Sequence, residues 1–243
     1  MDREVYDRMR VLETDHWWFA GRRRILSGLI DSLPAPRPAK ILEVGCGTGG
    51  NLSMLARFGE VVGLEPDPDS RAYAQERTGV AVTVGHLPDD LPFAPASFDL
   101  VCAFDVIEHV DDDAAAVKAL AGLVKEGGFM AATVPAHAWM WSRHDELHHH
   151  KRRYRLAPFR ALFEAAGLEI VRASYFNTAL FAPIAAARIG KRLLGSQSAD
   201  DDRLPAPPVN WALEQLFSAE LGWLRLGSLP FGVSILVIAQ RPA

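Results

Sequence analysis

The chain has 243 residues, enough for one substantial hydrophobic core with a small addition. Its charged fraction of 23%, hydrophobic fraction of 49% and formal net charge of −4 lack the strong basic excess that a nucleic-acid partner leaves. Two cysteines, Cys46 and Cys102, are too few for a disulfide scaffold and point to a reducing compartment, read here as the cytoplasm. The opening run MDREVYDRMRVLETD is charged throughout, which argues against a signal peptide or membrane span there.

Residues 4–33 read as one or two helices, broken near Asp15 and His16. Val5, Met9 and Leu12 recur at helical spacing, and Ile25, Leu29 and Ile30 do so again. Between them lies HWWFAGRRR, whose consecutive aromatics serve no single helix face. Trp17 and Trp18 are expected either to clamp the N-terminal helix or to form a lid over a ligand pocket. Arg22 would then pair with a carboxylate of the protein or of a ligand. Pro34, Pro36 and Pro38 end the segment, so residues 1–37 form a helical lid unit ahead of the core.

From Lys40 the pattern becomes strand–helix repetition. Apolar runs predict strands at 40–45, 60–65, 80–84, 98–103 and 126–134, with helices near 49–58, 68–77, 113–124 and 156–166. Such a parallel α/β sheet binds ligands at the carboxyl ends of its strands, where strand order reverses. ILEVGCGTGGN, residues 41–51, reads as a buried strand, a tight turn and a helix start. Gly45, Gly47 and Gly49, with Cys46 among them, allow positive φ and close approach of a ligand to the backbone. Glu43 would repel a pyrophosphate and attract a cation. Glu65, which ends VVGLE just before Pro66, is placed to accept hydrogen bonds from ribose hydroxyls.

Together these residues resemble the class I S-adenosylmethionine-dependent methyltransferases. The resemblance implies an α/β, Rossmann-like seven-stranded sheet, mostly parallel with an antiparallel last strand. It also implies S-adenosyl-L-methionine as cofactor and S-adenosyl-L-homocysteine as product. Glu43, Gly45, Cys46, Gly47, Gly49, Glu65 and Pro66 would line the cofactor site, and His86 and Leu87, after strand three, would contact the adenine. Phe104 and Asp105 leave strand four in AFDVIEHVDDD, beside the methyl donor, with Glu108 and His109 one turn on. His109 is expected near the transferred methyl; the alternative is a bond to a backbone carbonyl that orders the loop. Some relatives hold a divalent metal with an acidic residue and this histidine. Asp105 stands where those members have glutamate, and no metal is expected.

Strand five leads into PAHAWMWSRHDELHHHKRRYRLAPF. Three adjacent histidines are not expected to converge on one ion. Read with HWWF…RR, the H-D…H-x-R-R-Y pattern resembles a small-molecule subgroup of the same methyltransferases, in which this loop orients an acceptor. That implies acceptor contacts at Trp17, Trp18, Arg22, Trp141, Arg153, Tyr154 and Phe176. His109, His144 and His150 become candidate bases, because imidazole titrates near neutrality. Of Arg152, Arg153 and Arg155 only one is expected to reach the site, the others forming a solvated basic face.

LEIVRASY, residues 168–175, reads as strand six and completes a cofactor-binding core over 38–175. Residues 176–230 add two amphipathic helices, near 176–194 and 209–226, around a polar, proline-rich loop at 196–208. These are expected to form an inserted helical cap that covers an apolar acceptor, builds a homodimer interface or touches a membrane peripherally. Residues 231–243 supply the final strand. The expected function is in-line methyl transfer to a small or medium, partly apolar metabolite, with O-methylation favoured over N- or C-methylation, as in natural product biosynthesis. A lipid- or glycan-linked acceptor at a membrane surface is the main alternative, ahead of an NAD-dependent oxidoreductase or a non-catalytic cofactor-binding protein. The expected partner is a small molecule rather than nucleic acid, and the protein a monomer or homodimer without a transmembrane segment.

Overall fold

The computed structural model describes residues 3–194 and 203–243, so part of the expected 196–208 loop lies outside the described residues. Two helices open the chain, α1 (Arg3–Leu12) and α2 (Trp17–Asp31), broken where Asp15 and His16 predict. His16 Nδ1 accepts from the Trp18 N–H at 3.3 Å and caps α2. The core then alternates β1 (Ala39–Val44), α3 (Leu52–Leu55), β2 (Gly59–Leu64), α4 (Pro68–Thr78), β3 (Ala81–Thr83), β4 (Phe98–Phe104), α5 (Asp113–Leu123) and β5 (Val124–Pro135). After it come α6 (Arg143–Leu147), α7 (Leu156–Ala165), β6 (Glu169–Phe176), α8 (Phe181–Leu193), α9 (Pro207–Ser218), α10 (Glu220–Leu226) and β7 (Ser234–Gln240).

Three boundaries differ from the sequence expectation. The helix expected over 49–58 is a single turn, Leu52–Leu55, and Gly49 at φ +86° keeps its first residues out of the helix. Phe176 ends β6 instead of starting a helix, since it pairs with Ser234 in the sheet. The helix expected over 209–226 divides at Ala219 into α9 and α10.

All seven strands form one sheet in the order β3-β2-β1-β4-β5-β7-β6. β1 is parallel to both β2 and β4, and β4 is parallel to β5. β7 runs antiparallel between β5 and β6, as the resemblance implied. Alternation along each strand divides the side chains between two cores. On one face Leu42, Val101, Met130 and Val237 meet Val117 and Leu120 of α5 and Phe159 and Phe163 of α7. On the other, Ile41, Leu100, Phe129 and Leu236 meet Ile25, Leu26 and Leu29 of α2.

The C-terminal helices complete this second face. α9 and α10 both pack on α2, and a Cβ at Gly21 would come within 2.7 Å of Phe217 Cδ1. Phe217 is fully buried, stacks on Phe176 with centroids 5.9 Å apart, and meets the Trp17 ring edge-on at 5.9 Å. Truncating such a ring loses its transfer energy and leaves a cavity the rigid surroundings cannot fill. Phe217→Ala is therefore expected to lower unfolding free energy by about 3–5 kcal/mol. Urea denaturation checks this, and a loss below about 1 kcal/mol would show that α9 is not part of the core.

Candidate functional site

Strand order reverses between β1 and β4, and the carboxyl ends of β1, β2 and β4 open there onto one cavity of about 590 Å³. Its first wall is the glycine turn. Gly45 and Gly47 have φ of +62° and +54°, in the left-handed region that favours glycine. A Cβ at Gly45 would strike Val106 Cγ2 at 2.6 Å, whereas one at Gly47 would meet nothing nearer than Met9 Cε at 3.8 Å. The turn therefore presents bare backbone to the cavity. Glu65 lines the same wall, its Oε2 accepting from the Gly47 N–H at 2.8 Å and its Oε1 from the Asp67 N–H at 3.0 Å. Burial raises the Glu65 pKa against the pull of those two bonds. Pro66, His86, Leu87 and Cys46 also border the cavity. Burial, helped by Glu43 and Glu65, pushes the Cys46 thiol far up, so it offers no thiolate.

Glu43 and Gly49 do not reach the wall. Glu43 is 1% exposed and lies behind Asn51, which does line the cavity and donates from Nδ2 to Glu43 Oε1 at 2.7 Å. Its other oxygen has no partner among the described residues, and burial pushes its pKa up to about 8. Glu43 thus orients the wall from beneath instead of meeting a ligand cation directly.

The second wall follows β4. Phe104, Asp105, Glu108 and His109 all line the cavity. Asp105, at φ +57°, hydrogen-bonds and ion-pairs with Arg22, whose guanidinium also covers the Trp18 ring at 4.5 Å. Trp17, Trp18, Phe19 and Arg22 bring the start of α2 to the cavity, which Ile184 and Arg188 of α8 also line. Glu108 is fully buried with neither carboxyl oxygen hydrogen-bonded among the described residues. Burial, then the neighbouring Asp105, drive its pKa well up. Burial and the nearby His150 push His109 down to about 3, which keeps its imidazole neutral.

The third wall is the loop after β5. Asp145, fully buried, ties it together: its Oδ1 meets His150 Nδ1 at 2.8 Å and Arg153 Nε at 2.7 Å, and its Oδ2 accepts from Arg153 Nη2 at 2.9 Å. Burial alone would raise this carboxyl, but the His150 bond and the Arg153 charge hold it well below the usual range. His144, His148, His150 and Arg153 line the cavity. The His109 and His150 rings meet edge-on with centroids 4.8 Å apart.

Not every residue expected from sequence belongs here. Tyr154 packs on Phe159 in the core and donates its hydroxyl to Asp113 at 2.8 Å, so it turns away from the cavity. Phe176 is buried against Phe217, and Trp141 is surface-exposed; neither lines the cavity. Of the three arginines, Arg153 alone lines it, while Arg152 pairs with Asp113 at 3.0 Å. Sequence reasoning passed over Glu13, Asn51, His148 and Arg188, all on the walls. Glu13 leaves α1 to accept from Thr48 Oγ1 at 2.5 Å and pair with Arg77 at 3.0 Å, fixing the glycine turn from outside. His148, inside the histidine run, and Asn51, which ends the glycine-turn segment, carried a local sequence signal.

Comparison with known proteins is consistent with this architecture. A family model described as a methyltransferase domain matches residues 18–173. The ubiquinone biosynthesis O-methyltransferase of Methylobacterium sp. (strain 4-46) is 38% identical over 103 residues, covering 39% of this chain and 40% of that protein. The 2-methyl-6-phytyl-1,4-hydroquinone methyltransferase of Synechocystis sp. is 36% identical over 108 residues, covering 42% of this chain and 33% of that protein. The chain thus matches less than half the length of these curated relatives. A SAM-dependent methyltransferase from Thermotoga maritima superimposes with a TM-score of 0.63 over 98% of this chain and 95% of that one, at 17% identity, a likeness of fold. With its sheet order, its glycine turn and a family match over residues 18–173, the chain has the class I S-adenosylmethionine-dependent methyltransferase fold and belongs to the methyltransferase-domain family.

Proposed function

We propose that the protein transfers a methyl group from S-adenosyl-L-methionine to a small, partly apolar metabolite, with oxygen the favoured acceptor atom. One observation carries the reading: bare glycine backbone, the Glu65 carboxylate and the Asp105–Arg22 pair border a single cavity that ends in a histidine wall. The donor set fits the cofactor. A carboxylate accepts at about four lone-pair sites, and Glu65 uses two on backbone N–H groups, leaving capacity for ribose hydroxyls. Asp105 and Arg22 offer opposite charges for an α-ammonium and an α-carboxylate. Pro66, His86 and Leu87 flank the adenine side. When bound, the cofactor supplies an electrophilic methyl on a sulfonium.

The chain's remaining task is to align the acceptor and exclude water. Trp17, Trp18, Phe19 and Ile184 supply an apolar roof that suits an aromatic or aliphatic metabolite. His109 lines the cavity, where its neutral ring is able to accept the hydrogen bond of an acceptor hydroxyl and so orient it. The names of the quinone-pathway relatives state O-methylation and hydroquinone methylation, which favours a phenolic acceptor here.

Two measurements test the two ends. Glu65→Ala removes charge-assisted hydrogen bonds of about 1.5–3 kcal/mol, so S-adenosyl-L-homocysteine affinity by calorimetry is expected to fall roughly 10- to 100-fold. NADH binding more tightly than S-adenosyl-L-homocysteine to the intact chain would instead indicate an oxidoreductase. His109→Ala is expected to slow labelled-methyl transfer to a panel of phenols and catechols by about 10²–10⁴ with unchanged S-adenosyl-L-homocysteine affinity. Equal losses in rate and in affinity would move His109 from the acceptor to the cofactor end.

A further inference from the structure

We infer that His144, His148 and His150 form a binding site for a divalent first-row transition ion of the zinc type, on the acceptor wall of the cavity. Each offers one ring nitrogen, and these atoms lie within 4.8 Å of one another. Tetrahedral zinc–nitrogen bonds of about 2.0–2.1 Å set nitrogens about 3.4 Å apart, so modest ring rotation closes the set. Three protein ligands leave a fourth position, and all three residues line the cavity, so that position faces it.

The local chain geometry explains why this run converges although adjacent histidines do not. His144 and His148 are four residues apart across α6 and its C-cap, which places them on one face, their rings stacked with centroids 4.0 Å apart. His149 then adopts φ +55° and is exposed, reversing the chain. That reversal lets the His150 N–H donate to the Asp145 carbonyl at 2.9 Å and brings the His150 ring within 5.5 Å of His148 and 5.9 Å of His144, centroid to centroid. The middle residue of the run is the one left outside.

What surrounds the triad is also that of a metal site. Metal-binding histidines usually hand their second nitrogen to a carboxylate, which fixes the tautomer and aims the first. Asp145 does this for His150: its bond to Nδ1 leaves Nε2 toward the cluster, and the two Arg153 bonds immobilise Asp145 in turn. A second set, Glu108, His109 and His150, shares one member. It is the poorer choice because Glu108 and His109 are consecutive residues of one turn, whereas His144 and His148 share a face four residues apart. Imidazole-only ligation favours zinc, copper or nickel over magnesium or calcium.

An ion there would fix and polarise an acceptor oxygen; this role rests on the methyl-transfer reading, whereas the binding itself does not. The test adds Co²⁺, and separately Zn²⁺, to the intact EDTA-treated chain, with S-adenosyl-L-homocysteine titrated in parallel. One equivalent of Co²⁺ with intense tetrahedral visible bands is expected. His144→Ala, His148→Ala and the milder His148→Gln should each weaken Zn²⁺ binding at least 10-fold, while the exposed His149→Ala leaves it unchanged, circular dichroism confirming that each is folded. No saturable metal binding, or binding lost in Glu108→Gln but kept in the His144 and His148 variants, would overturn the inference. S-adenosyl-L-homocysteine binding without Co²⁺ binding would sink the metal site alone, and the reverse would sink the methyl-donor reading alone.

Discussion

The histidine wall of the cavity depends on one buried carboxylate. Asp145 closes the capping box of α6 through the Ser142 N–H, orients His150 and binds Arg153 through both oxygens. A buried charge of this kind is tolerable only while its partners remain, and removing one from such a pair typically costs about 3–5 kcal/mol. Arg153 is anchored in turn by its bond to the Ala136 carbonyl at the end of β5. The loop that carries the histidines is thus tied to the sheet by charge and hydrogen bonding, where an apolar contact would leave it free to slide. Geometry at this wall is set before any ligand arrives, which is what positioning chemistry requires.

The wall that follows β4 holds a second ion pair in a different setting. Asp105 and Arg22 also pair, but at the cavity surface and between the β4 end and α2. A zwitterionic ligand end can exchange with such a pair by offering each partner its own counter-charge. Asp145 has no such freedom, being fully buried. One cavity therefore joins an exchangeable ion pair to a fixed one, and the apolar roof from Trp17 to Ile184 lies over it.

Much of the fold was legible because it rests on periodicity. The apolar runs, the glycine turn and the late strand FGVSILVIAQ predict the sheet, and its reversal point locates the cavity. Side-chain direction was harder to read. Glu43 stands two residues before Gly45, yet strand alternation turns it toward the face that carries Cys102, so Asn51 meets the cavity in its place. Tyr154 follows Arg153 directly, and one residue of extended chain sends the arginine inward and the tyrosine to Asp113. Phe176 has the same cause: sheet pairing with Ser234, invisible locally, fixes its side. The histidine run converges only because His149 takes a positive φ, which its sequence neighbours do not announce.

The C-terminal helices show how distant sequence reaches the site without touching it. They were expected as a cap, but α9 and α10 lie against α2, and among these added helices it is α8 that lines the cavity. Their influence passes through two capping side chains. Asn210 of α9 accepts from the Trp17 N–H at 2.8 Å and donates to the Asp15 carbonyl at 2.7 Å, satisfying the start of α2 from outside it. Glu220 of α10 accepts from the N–H groups of Thr178 and Ala179 at 2.7 and 2.8 Å, fixing the turn that launches α8. Trp17, Trp18 and Arg22 of α2 and Ile184 and Arg188 of α8, all on the cavity lining, therefore sit on helices held by residues that follow the family's matched segment. The shape of the cavity then depends on a part of the chain that the family match does not cover.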